Sequence, residues 1–291
     1  MEKGKDVIDF EVGDYATAEE MVWCGECGPC KNGFPNQCER LEELGITIDG
    51  AMTEYIAVPE KLCWSINGFK KLFKDEALLF DVGATVEPTS VAHNAIFERG
   101  GGIRAGETAV IFGCGPVGLM GISLLRTAGA SRVIVFEVNP ERAEIAKEMG
   151  ADIVYNPAEV EREGGTVESV IMEETQNEGT DFFLETAGVP DKTLPAMLNK
   201  NTLNVNAKIV LIARSAASTP LSLEALQTRA AQIFGAQGHS GNATFRNVIR
   251  LIEAGRIHPE KIITSRFNID EGMEAFELAK QRKGAKIMFR V

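Results

Sequence analysis

Cys24, Cys27, Cys30 and Cys38 stand in the run WCGECGPCKNGFPNQC, spaced C-x2-C-x2-C-x7-C. Four thiolates on one short loop close a tetrahedral shell around a single Zn2+ and leave no open position for chemistry. A site of this kind holds a loop in shape and does not catalyse. The same donors also suit iron in a rubredoxin-type electron-transfer centre, an occupant that would colour the protein where zinc would not. Cys63 and Cys114 lack such company and read as small buried fillers.

A second chemistry-bearing run is Gly113-Cys114-Gly115-Pro116-Val117-Gly118. The G-x-G-x-x-G string alone is a weak signal, but here it follows the apolar strand TAVIF and opens a helix. Gly113 permits a tight turn, Gly115 lets the backbone approach a diphosphate, and Gly118 lets the helix pack closely. Pro116 and Val117 complete the turn and count with the glycines as cofactor-binding. The diphosphate of a dinucleotide would rest on the N–H groups of the helix N-terminus. The next strand, RVIVFE, ends in Glu137, placed to accept hydrogen bonds from a ribose diol. A carboxylate there repels a 2′-phosphate, which favours NAD over NADP. Arg142 lies close enough in sequence to blur that preference, and otherwise reads as an exposed helix cation.

The remaining candidates are sparse, since the chain has three histidines. His93 reads as a core or interface residue and His258 as a surface loop residue. His239 and Ser240, in GAQGHSG, fall where the sheet ends and are candidate substrate or nicotinamide contacts. The turns Thr186-Ala187-Gly188 and Ile212-Ala213-Arg214 end two strands and are expected to border a nicotinamide.

These residues need a scaffold, and the pattern supplies one. The chain has 291 residues, 44% hydrophobic and 25% charged, a globular balance with enough length for two domains. Its net charge of −12 argues against nucleic-acid and anionic membrane partners. No apolar run approaches the ~18 residues of a spanning helix. MEKGKDVIDFEVGD lacks a secretory apolar region, so the expected location is the reducing cytosol, where clustered cysteines bind metal. Up to about residue 80 the sequence reads as loops and short strands, including Ala51–Val58 after the Asp49-Gly50 turn. From residue 88 strand and helix alternate, which implies a parallel sheet covered on both faces. Expected strands are Thr108–Phe112, Arg132–Glu137, Asp152–Tyr155, Asp181–Glu185 and Lys208–Ala213. Asn139-Pro140-Glu141 marks a helix start and Gly150 its stop. After Gly235 the order changes to helix, extended segment, helix and a closing strand.

A four-cysteine lobe, then Val86-Glu87-Pro88, then Gly106-Glu107-Thr108, then the glycine fingerprint resembles the zinc-containing medium-chain alcohol dehydrogenases. Within them the chain is most similar to the polyol branch, sorbitol and threonine dehydrogenase-like. The segments DGAMTEYIAV, VEPTSVAHNAI, RGGGIRAGETAVIFGCGPVGL and RAAQIFGAQGHSGNATF carry the match. The resemblance implies an α/β fold: a Rossmann doubly wound parallel sheet plus a partial GroES-like β-barrel with a zinc lobe. It places the partial barrel at 1–87, the NAD-binding domain at 88–236 and a return to the first domain at 237–291. It implies a small-molecule polyol substrate, of inositol or inosose type, oxidised at a secondary alcohol to a ketone. A homo-oligomer, dimer or tetramer, is expected with it.

The resemblance also implies a second, catalytic Zn2+ acting on the substrate oxygen. The family binds it with a cysteine and a Gly-His-Glu run ahead of the four-cysteine lobe, and this sequence has neither. Glu87 alone matches a family position at that metal, as a direct or water-mediated ligand; otherwise it is a helix-start carboxylate. One carboxylate cannot hold a catalytic zinc. The expectation is therefore an N-terminally incomplete form that carries one structural zinc, binds NAD, and turns over little or no substrate. A non-catalytic nucleotide-binding or interaction protein is the alternative.

Overall fold

The computed structural model describes residues 2–216, 218–239 and 241–291, and they group into two compact units. One comprises Ala92–Ala236 with Arg282–Lys286, and the other the chain up to Val91, Gln237–Gln281 and Ile287–Val291. No helix among the described residues is long and apolar enough to cross a membrane.

The first of these is a sheet unit. Its strands are β1 (Thr108–Phe112), β2 (Arg132–Phe136), β3 (Ile153–Tyr155), β4 (Thr180–Glu185), β5 (Leu203–Leu211) and β6 (Gln232–Gly235). Every neighbouring pair is parallel, in the order β3-β2-β1-β4-β5-β6. The order reverses between β1 and β4, the switch point where such sheets open a crevice beyond the strand ends. The strands are apolar almost throughout because helices cover both faces. On one face Val110, Phe112, Ile134, Phe136, Phe183 and Ile209 share a buried cluster with Leu194 and Met197 of the helix Pro190–Met197. Phe112 and Phe136 stack at 4.9 Å between centroids. The helix Pro116–Thr127 lies close to β4, since a Cβ on Gly121 would come within 2.7 Å of Leu184 Cδ2.

Two local readings change. β5 begins at Leu203, earlier than the expected Lys208: Leu203 pairs with Thr180 of β4, and the register then shifts across residues 204–207 before pairing resumes at Phe182 and Lys208. Ala51–Val58, expected as a strand, has no regular secondary structure. It finds no ladder partner among the described residues, and Tyr55 is 74% exposed. A strand needs a neighbour and a covered face, and local propensity does not replace them.

The second unit is built from short pieces. Ala16–Ala18 pairs antiparallel with Cys63–Ser65, and Met21–Val22 with Glu42–Glu43. The latter ladder closes the base of the cysteine lobe, leaving residues 23–41 as one excursion. Ile263–Asn268 pairs with Lys286–Arg290. The helix Glu76–Ala84 starts at Asp75, whose side chain accepts from Ala77 N at 3.0 Å.

From that helix the buried carboxylate of Asp81 accepts from Arg266 Nε at 2.6 Å and Arg290 Nη2 at 2.7 Å, clamping both strands of the last pair. Burial alone would raise its pKa, but the two guanidinium groups outweigh it and hold it below the ordinary carboxylate value. A depressed folded-state pKa contributes stability above the unfolded value of 3.8, and this is lost as pH falls through the folded value. Asp81→Asn is expected to cost about 2–3 kcal/mol at neutral pH, because two arginines lose their anion while remaining partly solvated. Urea unfolding at pH 7 and pH 3 checks this: the difference between parent and variant is present at pH 7 and shrinks at pH 3.

Candidate functional site

In the cysteine lobe the sulfurs of Cys24, Cys27, Cys30 and Cys38 all lie within 4.8 Å of one another. Cys24 and Cys30 are separated by 4.0 Å and Cys27 and Cys38 by 3.8 Å. A disulfide needs about 2.05 Å. A tetrahedron on Zn–S bonds of ~2.3 Å has edges of about 3.8 Å, so the spacing is that of a metal shell. The lobe is folded for this by the short helix Gly28–Lys31 and the 3-10 turn Pro35–Gln37, with left-handed glycines at Gly25 and Gly33. Backbone N–H groups point at sulfur: Glu26 and Cys27 donate to Cys24 at 3.3 and 3.4 Å, and Arg40 to Cys38 at 3.3 Å. The N–H groups of Glu26 and Cys27 bring the Cys24 pKa down to about 6, and those of Cys30 and Glu39 lower Cys27. Cys30 is pushed up to about 12, by burial first and then by the neighbouring thiols. Four convergent sulfurs with N–H donors behind them fit a tetrathiolate ion.

At the glycine turn the three glycines differ. Gly113 has φ +91°, and a Cβ there would lie 2.9 Å from the Ala187 backbone. A Cβ on Gly118 would lie 2.1 Å from the Gly113 carbonyl oxygen and 2.6 Å from Thr186 Oγ1. Gly115 has an ordinary φ of −65°, and a Cβ there would meet nothing within 4 Å. Protein packing thus demands glycine at 113 and 118 but not at 115. Gly115 is the N-cap of the helix Pro116–Thr127, and no side chain caps that helix. A helix start without a side-chain cap, in front of an empty cradle that a Cβ would fill, fits a diphosphate. Pro116 and Val117 form the first turn of that helix.

Glu137 follows β2 and is buried against the turn. Its Oε2 accepts from the Cys114 N–H and its Oε1 from Asn139 N at 2.8 Å. A carboxylate has about four acceptor sites, so two stay available for ribose hydroxyls. Arg142 is less free than an exposed helix cation, because its Nε donates to Gly284 O at 2.6 Å. Thr186 braces the turn by donating to the Gly113 carbonyl at 2.7 Å. Behind it the buried Glu185 accepts from Ala187 and Gly188 N–H at 3.0 Å each, while burial pushes its pKa up. Cys114 is fully buried, and burial followed by the Glu137 charge raises its thiol well above the usual value, so it is inert.

Glu87 does not stand alone. It lies in the first turn of the helix Val86–His93, and the structure brings Glu20 and His239 to it. His239 Nε2 is 3.2 Å from Glu20 Oε2 and 3.5 Å from Glu87 Oε1. The imidazole is fully buried, with Phe245 edge-on at 4.9 Å. Trp64 stacks on Phe245 and donates to Glu19 at 2.9 Å. Burial lowers the proton affinity of His239, but Glu20, Glu87 and Glu19 raise it further, leaving a pKa above the ordinary value. Sequence reading missed Glu20 and treated His239 as a substrate or nicotinamide contact. No spacing signal links positions 20, 87 and 239; only folding does. Ser240 lies outside the described residues. His93 packs on Phe97 at 4.8 Å, and burial pushes its pKa down to about 4, so it is neutral near pH 7. His258 is exposed beside Glu260 at 3.2 Å.

Two family models match the chain: alcohol dehydrogenase GroES-like domain over residues 1–68 and zinc-binding dehydrogenase over residues 116–254. Scyllo-inosose 3-dehydrogenase of Thermotoga maritima is 44% identical over 264 residues, covering 90% of this chain and 65% of that protein. The chain therefore spans a little under two thirds of that relative's length. L-threonine 3-dehydrogenase of Pyrococcus horikoshii is 31% identical, covering 99% of this chain and 78% of that protein. Among solved structures, an alcohol dehydrogenase (rspB) from E. coli CFT073 in complex with NADH superposes with a TM-score of 0.85 at 28% identity, covering 99% of this chain and 80% of that one. With its fold, its thiolate lobe and these relatives together, the chain belongs to the zinc-binding medium-chain alcohol dehydrogenases, a GroES-like domain joined to a Rossmann-type one.

Proposed function

We propose that this chain binds NAD and serves the oxidation of a secondary alcohol of a polyol, of inositol or inosose type, to a ketone. The observation that carries the cofactor part is Gly115: it needs no glycine for packing and borders empty space at an uncapped helix start. Glu137, held by two N–H groups beside that space, supports NAD over NADP, since its charge opposes a 2′-phosphate. NAD, when bound, supplies the hydride acceptor. The chain's own residues hold the diphosphate on the first-turn N–H groups and orient the ribose through Glu137. The inosose-type polyol assignment is supported by the name of the 44%-identical relative. The four thiolates are proposed to hold one Zn2+ that shapes the lobe. An assembly of two or four copies goes with the family resemblance.

The family's cysteine and Gly-His-Glu donors are not among these residues, and no catalytic step is derived through them. A second reading is a nucleotide-binding protein without turnover. Isothermal titration separates the outcomes. NADH is expected to bind with a Kd of about 1–100 µM and NADPH at least ~10-fold more weakly. No heat from either nucleotide on folded protein would overturn the dehydrogenase reading. Oxidation of myo-inositol or a related polyol, followed at the NADH absorbance, separates the two readings: turnover overturns the non-catalytic alternative, and its absence on protein that binds NADH overturns the dehydrogenase reading.

A further inference from the structure

We propose that Glu185 is a positioning residue for the nicotinamide half of the dinucleotide: its carboxylate and its main-chain carbonyl hold the two loops that follow β4 and β5. This role rests on the nucleotide reading above.

Placement comes first. β1, β4 and β5 are neighbouring parallel strands, and the order reverses between β1 and β4. Ligands of such sheets sit beyond the carboxyl ends of the strands at that reversal. Glu185 is the last residue of β4, so it stands at that edge, yet it is only 2% exposed. Burying a carboxyl group costs free energy unless its oxygens are used.

The bonds show what they are used for. Oε1 accepts from Ala187 N and Gly188 N at 3.0 Å each, and from the Thr193 hydroxyl at 3.5 Å. An oxygen that receives two successive N–H groups fixes the turn that carries them. The main-chain carbonyl of Glu185 accepts from Ile212 N at 3.1 Å and Ala213 N at 3.4 Å, the first residues after β5. The two loops also touch, since a Cβ on Gly188 would lie 3.5 Å from Ala213 Cβ. One residue thus sets both loops against each other. The glycine turn after β1 has its own brace, the Thr186 hydroxyl on the Phe112 and Gly113 carbonyls, which does not need the Glu185 carboxylate.

A simpler use of Glu185 is to favour the helix Pro190–Met197, whose N-cap Val189 makes no side-chain bond. That use explains the contact with Thr193. It does not explain the N–H groups of Ala187 and Gly188, which precede the helix, or the carbonyl bonds to the next loop. The two roles differ in outcome. Losing a helix-end contact lowers the melting temperature and leaves the affinity of the folded protein alone. Losing the loops lowers affinity for the part of the ligand they border. Every one of these bonds asks for an acceptor and none asks for charge, and burial pushes the Glu185 pKa up against the pull of the N–H donors. An amide oxygen at the same place therefore serves.

Calorimetric titration of the full chain with NADH and with ADP-ribose, which lacks the nicotinamide, tests this, with circular dichroism melts reporting the fold. Glu185→Gln is expected to bind NADH within ~3-fold of the parent, and Glu185→Ala at least ~10-fold more weakly. ADP-ribose affinity is expected to change less than ~3-fold in both, because the glycine turn keeps its brace. Glu185→Asp withdraws the acceptor by one methylene and carries the same expectation as Glu185→Ala if the latter does not fold. NADH bound as tightly by Glu185→Ala or Glu185→Asp as by the parent overturns the role. So does an equal loss of NADH and ADP-ribose, or a Glu185→Gln as weak as Glu185→Ala. A parent chain that binds neither nucleotide removes the nucleotide reading and this role with it, whereas a parent that binds NADH beside variants that bind it equally removes this role alone.

Discussion

Gly115→Ala is expected to bind NADH about 100-fold more weakly than the parent chain while unfolding at the same temperature. A methyl group there meets no protein atom within 4 Å and needs no unusual backbone angle, so the folded state is indifferent to it. What it does occupy is the space in front of the Pro116–Thr127 helix start. Inserting a methyl into a close contact costs about 1–3 kcal/mol, which is a factor of ~5 to 150 in affinity. Gly118→Ala is the control with the opposite signature. Its Cβ meets backbone at 2.1 Å, which cannot give way as a side-chain tip can, so the sheet unit is expected to lose about 2–4 kcal/mol. Calorimetric titration and thermal melts on both variants decide the matter. If Gly115→Ala binds NADH as the parent does, the cradle is not where the diphosphate rests.

Removing metal from the thiolate lobe is expected to release residues 23–41 from ordered structure while the parallel sheet stays folded. The excursion is closed at its base by a ladder of two residues per strand and contains few buried apolar side chains. Structural Zn2+ sites contribute on the order of 10–16 kcal/mol in isolated small domains, far more than such a ladder can replace. Cys27→Ser, or strong chelation, is therefore expected to abolish hydrogen-exchange protection across the lobe and leave it intact in β1, β2 and β4. Unchanged protection in the lobe, with loss of metal verified by elemental analysis, would show that the fold and not the metal holds it.

The sheet was legible because its strands are apolar almost end to end and its first turn carries a glycine pattern with a steric reason. TAVIF and RVIVF could hardly be anything but buried strands. The cysteine lobe was legible for a different reason: all four donors fall within one short stretch, so sequence spacing and spatial spacing nearly coincide. Ala51–Val58 misled because strand formation is settled by partners, and propensity says nothing about whether one is present. The Glu20–Glu87–His239 convergence was hidden for a related reason. Each residue taken alone resembles a common surface or core residue, and only the unit's tertiary closure turns two glutamates toward one imidazole. The three glycines of the turn also look alike as letters. It takes the positions of Ala187, Thr186 and the Gly113 carbonyl to tell which two serve packing and which one would carry a Cβ that meets no protein atom within 4 Å.

The sulfur spacing in the lobe has a consequence for handling. Cys24, with a pKa of about 6, is largely thiolate at neutral pH, and Cys30 lies 4.0 Å away. A bound ion keeps the pair apart and ties up the nucleophile. Once stripped in air, the thiolate is free to react, and a sulfenic acid formed there condenses with the neighbouring thiol. The resulting cystine would bar the ion from returning. Preparations that meet chelators before reductants would therefore lose the lobe until a thiol reductant cleaves that bond.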